Sequence, residues 1–129
     1  MNANAQSGAI VLGVIFLDQF SKMLVAARIF PAFVSRQTSG IVFGYDLPGS
    51  LDFYLVAVFL AMFVYWHFRY LRRSPASVGS ALIVGGAVSN LLDRLGDGTV
   101  VDFLNLGLST MNVADLAILA GIGILAYKL

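Results

Sequence analysis

The sequence predicts an all-α membrane protein of four transmembrane helices, with a small extracytoplasmic β element after the first helix. Three observations carry this. The 129 residues are 59% hydrophobic and only 12% charged, with a mean hydropathy of +0.87. A soluble domain of this length is about half apolar and about a quarter charged. The apolar residues gather in four runs, each close to the ~20 residues that cross a hydrocarbon core. A stretch broken by glycine and proline, with a short β-branched and aromatic segment inside it, separates the first two runs. The length leaves room for four spans and little else, so residues 1–129 are expected to form a single integral membrane domain.

The first span is expected over residues 8–27. Its first half is uninterrupted, and its second half carries Asp18 and Lys22. Their i, i+4 spacing places them on one face with the acid N-terminal, the favourable order for an ion pair. A basic n-region is lacking, and Asp18-Gln19-Phe20-Ser21-Lys22 is a poor cleavage region, so a permanent helix is expected rather than a signal peptide. Residues 28–50 hold Pro31, Gly40, Gly44, Pro48 and Gly49 as breakers, and residues 40–45 read as a short strand or hairpin. The second span covers Leu51–Leu71, with Tyr65 and Trp66 near its end as interface anchors.

Arg69, Arg72 and Arg73 before Ser74-Pro75 read as a cytoplasmic connection by the positive-inside rule. Both termini then lie inside, while residues 28–50 and 96–110 lie outside. The third span, residues 78–95, repeats small residues every four positions at Ala81, Gly85 and Ser89, with Gly86 adjoining. The fourth, residues 112–129, has Ala117 and Gly121 at the same spacing. Such stripes let helix backbones approach closely.

Several function classes drop out. A net charge of +1 gives no nucleic-acid footprint. The absence of cysteine excludes disulfides, thiolate metal sites and a cysteine nucleophile. The single His67 builds no His-rich zinc site and, beside the arginines, reads as an interfacial side chain. What remains is aspartate. All seven acidic residues are Asp, and Asp93, Asp97, Asp102 and Asp115 fall in one short stretch.

The predicted topology places Asn90, Asp93, Arg94, Asp102, Asn112 and Asp115 on the outer side, with Asp18 and Lys22 in the outer half of the first span. Ionisable groups at the edge of apolar helices are costly and mark function by default. Asp102 and Asp115, on neighbouring helix ends, suggest a carboxylate dyad. Two close carboxylates do not both ionise cheaply, so one holds a proton. The ionised member takes a proton from an attacking water, and the neutral one donates to the oxyanion or leaving nitrogen. Asn amides and an arginine position substrate and balance charge.

Plainer readings stand beside this one. Asp115 with Asn112 reads equally as an N-terminal helix cap. Asp93 and Arg94 read as interfacial charges with Asp93 structural, Asp18–Lys22 as a buried structural pair, and Asp97 as a turn residue. Polar side chains at a helix bundle also suit a small transporter, although the second to fourth spans show almost none at mid-depth or towards the inner side.

The motifs resemble those of the bacterial lipoprotein signal peptidases (signal peptidase II). Asp18-Gln-Phe-Ser-Lys22 resembles the family's Asp-x-x-x-Lys. Residues 85–94 resemble Gly-Gly-Ala-x-x-Asn-x-x-Asp-Arg. Val100-Val-Asp102-Phe103 and Asn112-Val-Ala114-Asp115 resemble Val-Val-Asp-Phe and Phe-Asn-x-Ala-Asp. The blocks come in the family's order over nearly the whole chain. The resemblance implies an aspartic endopeptidase that cuts prolipoproteins before a diacylglyceryl-modified cysteine, with Asp102 and Asp115 as the dyad. It further implies Asn90 and Arg94 lining the site, with Asp93, Asn112, Asp18 and Lys22 in supporting positions. No metal or cofactor is implied. The implied partners are prolipoproteins, membrane lipids and cyclic peptide inhibitors, with the enzyme a monomer in the bacterial inner membrane.

Gly40 and Phe43 fall where the family has Asn-x-Gly-x-Ala-Phe. Here Thr38 replaces the Asn, Val42 the Ala, and Met111 the Phe before Asn112. The outer connections are also short. These departures bear on how substrate is held, and they leave two other readings: a catalytically weak relative that binds lipidated or hydrophobic peptides, and a specialised paralogue.

Overall fold

The computed structural model describes residues 2–30, 36–38, 51–96, 100–105, 107 and 110–129. Four α-helices dominate it: α1 Ala3–Ala26, α2 Leu51–Trp66, α3 Ser77–Gly96 and α4 Val113–Lys128. Four short strands complete it: β1 Arg36–Thr38, β2 Val100–Asp102, β3 Leu104–Asn105 and β4 Thr110–Met111.

Each helix begins or ends for a local reason. Asn2 caps α1, its side-chain oxygen accepting from the Ala5 N–H at 2.8 Å. α1 stops where Arg28 takes a left-handed φ of 57°. Its buried residues, Ser7, Val14, Asp18, Lys22 and Val25, recur at helical spacing and form one stripe. α2 runs on through a π turn, His67–Leu71, so the apolar segment Leu51–Leu71 is continuous. Three segments, Ala3–Ala26, Leu51–Leu71 and Ser77–Gly96, are long and apolar enough to cross a membrane. α4 is apolar but has 16 residues, about 24 Å at the helical rise.

α3 is the centre of the bundle. It packs most extensively on α4, then on α1, then on α2. The small-residue stripes account for this. A Cβ added at Gly86 would meet the Ala114 carbonyl oxygen at 2.4 Å and Ile118 Cγ1 at 2.8 Å. One at Gly121 would meet the Gly79 carbonyl oxygen at 2.5 Å. Backbone therefore touches backbone along the α3–α4 seam, as small residues permit in lipid. Gly86→Ala is expected to lower the thermal midpoint in detergent, at a cost of about 1–3 kcal/mol. Gly123→Ala, whose Cβ would meet nothing within 4 Å, is the control and is expected to be neutral or stabilising. Equal midpoints for the two would show that the seam tolerates opening.

Apolar and polar interiors lie at opposite ends. Where α2 turns into α3, Leu71, Ala76 and Leu125 are buried together, with Phe63 and Ile83 against them. Outward-facing side chains include Leu12, Phe16, Val58, Phe59 and Met62, as a lipid-facing exterior requires. His67 differs from the expected interfacial position. It is buried, with Nδ1 2.5 Å from the Ser80 hydroxyl. That hydroxyl also lies 3.0 Å from the Ser77 carbonyl oxygen. The pairing holds α2 to α3 at this end and explains why an imidazole remains inside.

The β structure gathers at the other end. β1 pairs antiparallel with β2, with Arg36 opposite Asp102 and Thr38 opposite Val100. β3 and β4 form a hairpin, with Leu104 opposite Met111. A β element after the first helix is therefore present, and its partner strand comes from the connection after α3. The segment expected as a strand or hairpin, residues 40–45, and the expected turn residue Asp97 lie outside the described residues.

Candidate active site

The β3–β4 hairpin brings Asp102 to the start of α4. Its tip contains Gly107, at φ +89°, whose N–H is held by the Asn105 side chain at 2.9 Å. The Phe103 N–H donates to the Met111 carbonyl at 3.0 Å. Chain that leaves Asp102 thus returns within one strand spacing to Asn112 and enters α4.

Asn112 and Asp115 then cap α4 reciprocally. The Asn112 side-chain oxygen accepts from the Asp115 N–H at 2.9 Å, and Asp115 Oδ2 accepts from the Asn112 N–H at 3.1 Å. This is a capping box, and it satisfies two backbone donors that a helix start leaves unpaired. The helix-cap reading of Asp115 is therefore correct. It is also incomplete, because the other carboxylate oxygen is used elsewhere.

Asp115 Oδ1 accepts from Asn90 Nδ2 at 2.9 Å. The Asn90 oxygen accepts from Asn112 Nδ2 at 3.0 Å. The same Asn112 nitrogen donates to Asp102 Oδ1 at 3.0 Å and to the Val101 carbonyl at 3.3 Å. Two facing amides, one from α3 and one from the foot of α4, thus hold both carboxylates. Asp102 is buried at 6% exposure and Asp115 is half-buried, so one acid is enclosed while the other keeps an open side.

A second polar layer supports the first from α1. Lys22 Nζ pairs with Asp18 Oδ2 and, at 2.5 Å, with Asp93 Oδ2. It also donates to the Asn90 oxygen at 3.3 Å. Asp18 is fully buried and its oxygens are fully used. One accepts from the Ala114 N–H at 2.8 Å, and the other from Ser89 Oγ at 2.6 Å and from Lys22. Gln19 Nε2 donates to Asp93 Oδ1 at 2.8 Å and to Ser89 Oγ at 2.9 Å. One cation thus ties α1 to α3, and Asp18 ties α1 to the first turn of α4. Because Lys22 reaches the Asn90 oxygen, the orientation of the amide that holds Asp115 is set from α1.

The signal peptidase (SPase) II family profile matches residues 10–129. This chain belongs to the signal peptidase II family. It is 34% identical to a lipoprotein signal peptidase of Symbiobacterium thermophilum over 94% of this chain and 93% of that one. It is 33% identical to one of Moorella thermoacetica, over 93% and 89%. Its fold matches a bacterial membrane enzyme solved by the in meso method at 2.3 Å, with a TM-score of 0.80 and 23% identity. That match covers 95% of this chain and 86% of the other. The protein is accordingly a membrane peptidase.

Of the signal peptidase II site residues expected from sequence, Asp18, Lys22, Asn90, Asp93, Asp102, Asn112 and Asp115 join one hydrogen-bonded cluster. Arg94, one turn beyond Asn90, donates to the Asn90 carbonyl at 3.3 Å. Asp115, Asp52, Asp102 and Asp93 all lie near enough to act on its charge. Gly40 and Phe43 lie outside the described residues.

Sequence reasoning missed two members of this cluster and one buried acid near it. Ser89 was legible only as one of a small-residue stripe, yet its hydroxyl holds Asp18. Gln19 lies between Asp18 and Lys22, the pair it was read with, and bridges α1 to Asp93. Asp52 carried the same signal that singled out Asp102, an acid at the edge of an apolar run, and it is buried.

Proposed function

We propose that this signal peptidase II is an aspartic endopeptidase that removes the signal peptide of prolipoproteins before the diacylglyceryl-modified cysteine, with Asp102 and Asp115 as its dyad. The observation that carries this reading is the shared amide cluster. Asn112 binds Asp102 and caps Asp115, and Asn90 binds both Asn112 and Asp115. Two carboxylates bound to one pair of amides support the dyad reading, in which close acids share a proton.

The ionised acid takes a proton from water as that water attacks the scissile carbonyl. The neutral acid donates its proton to the developing oxyanion, and the acid that took the water's proton then passes it to the leaving nitrogen as the C–N bond breaks. Asn90 and Asn112 hold the carboxylates in register during the exchange, and Arg94 offsets their charge. Named relatives act on lipoproteins, and the apolar exterior suits a substrate that arrives within the bilayer. The proposed setting is the bacterial inner membrane, as one monomeric four-helix domain, with α4 as the fourth span. Cyclic peptide inhibitors of the family would occupy the same open side of Asp115.

The test is conversion of a diacylated prolipoprotein to its mature size by purified protein, with and without such an inhibitor. Inhibitor-sensitive conversion is the expected result. Binding of the precursor without conversion would mark a peptide-binding relative.

In this reading both termini are cytoplasmic and the dyad is extracytoplasmic. Arg69, Arg72 and Arg73 at the α2–α3 connection support it. Because the chain has no native cysteine, a series of single cysteines reports sidedness directly. Position 73 is expected to label only from the cytoplasm and position 97 only from outside. Outside labelling at 73 would strand the dyad on the wrong side.

A further inference from the structure

α2 presents a contradiction in its burial pattern. One apolar face is exposed: Leu51, Tyr54, Leu55, Val58, Phe59 and Met62 range from 41% to 67%. The only residue of Leu51–Trp66 that is buried is an acid, Asp52, at 8% exposure. A carboxylate is costly to bury, and it persists inside only against compensating charge or donors. α2 and α3 are joined at the His67–Ser80 end, so they run antiparallel, and the first turn of α2 lies level with the last turn of α3. That turn carries Arg94.

The surrounding charges define what Asp52 does there. From α1, Lys22 is engaged by Asp18 and by Asp93 of α3. From β2 and α4 come Asp102 and Asp115. Arg94 feels the charge of both of these acids and of Asp52. An arginine drawn wholly to the dyad would favour the doubly ionised pair, in which no acid is left to protonate the developing oxyanion.

We infer that Asp52 is a positioning residue for Arg94: it gives the guanidinium a carboxylate outside the dyad and holds it on the α2 side of the cluster. Asp52 touches neither water nor substrate in this role. Its effect on the reaction passes through where the arginine rests. The inference builds on the dyad reading above, and its test separates the two.

The experiment measures kcat and KM for cleavage of one diacylated prolipoprotein, with thermal midpoints in the same detergent. The set is wild type, Asp52→Asn, Asp52→Glu, Arg94→Gln, Asp52→Asn/Arg94→Gln and Asp102→Asn. Asp52→Asn is expected to lower kcat about tenfold with KM within about twofold. Asp52→Glu keeps the charge and is expected to recover kcat to within about threefold of wild type. In the Arg94→Gln background, Asp52→Asn is expected to have no further effect, because residues that act through one another are non-additive.

Three results overturn the inference. They are an unchanged kcat in Asp52→Asn, a full further loss in the double variant, and a loss that only tracks the thermal midpoint and is not recovered by Asp52→Glu. If the amide fails to fit the buried site and the protein does not accumulate, Asp52→Ser removes the charge with less bulk and carries the same expectations. Activity retained in Asp102→Asn would instead refute the dyad.

Discussion

Asp102→Asn and Asp115→Asn are each expected to abolish prolipoprotein cleavage, by at least about a thousandfold, while leaving accumulation and membrane insertion near wild type. The asymmetry follows from what each side chain does in the resting protein. Asp102 Oδ1 accepts from Asn112 Nδ2, and an amide oxygen accepts that bond as well. At position 115 the substituted amide keeps one acceptor oxygen. It meets either Asn90 Nδ2 or the Asn112 N–H, so one of the two bonds is lost. The loss of one such bond costs about 1 kcal/mol, which a bundle packed along the whole α3–α4 seam tolerates. Neither amide transfers a proton. Turnover by purified variant protein, with circular dichroism to confirm folding, checks the pair. Full turnover by either variant would refute the dyad. A collapse of Asp115→Asn alone to unfolded protein would mean that capping is the dominant role of that acid.

How much of this was legible in the chain differs by element. The helices were, because twenty apolar residues in a row leave the backbone few other ways to satisfy itself in lipid. Their ends shifted by a few residues, and only α1 starts well before its apolar run, where Asn2 supplies a cap. The Asp18–Lys22 pair followed from helical spacing alone. Its third member, Asp93, did not, because the contact crosses from α1 to α3, and no local period encodes which faces of two helices meet.

The β2–β1 pairing was hidden for the same reason: strands of three residues take their register from the tertiary fold rather than from their own alternation. His67 read as an interfacial side chain because the arginines near it dominate that stretch of sequence; its burial was not legible, since its partner Ser80 sits 13 positions away on another helix. Asp115 was ambiguous in sequence and has both roles in space, cap and amide partner. A carboxylate has two oxygens, and spacing accounts for only one of them.

Lys22→Met is expected to be the most destabilising single substitution in the polar cluster, at about 3–5 kcal/mol. It removes the cation that, among the described residues, bridges Asp18 and Asp93, both of which lie in the interior at low exposure. An acid left in such a place either holds a proton or forces the helices apart, and both outcomes are costly. Asp18 is unlike Asp93 in what remains to it. It still accepts from the Ala114 N–H and from Ser89 Oγ, so removing the whole side chain would orphan a backbone donor at the start of α4. Asp18→Asn keeps an acceptor for that donor while deleting the charge. The double variant Asp18→Asn/Lys22→Met is therefore expected to be more stable than Lys22→Met alone, whereas Asp18→Leu/Lys22→Met recovers less. Thermal unfolding of wild type, the single variants and both doubles in one detergent measures the order. Simple additivity of Asp18→Asn and Lys22→Met would mean that the two charges do not interact, contrary to their pairing on one face of α1.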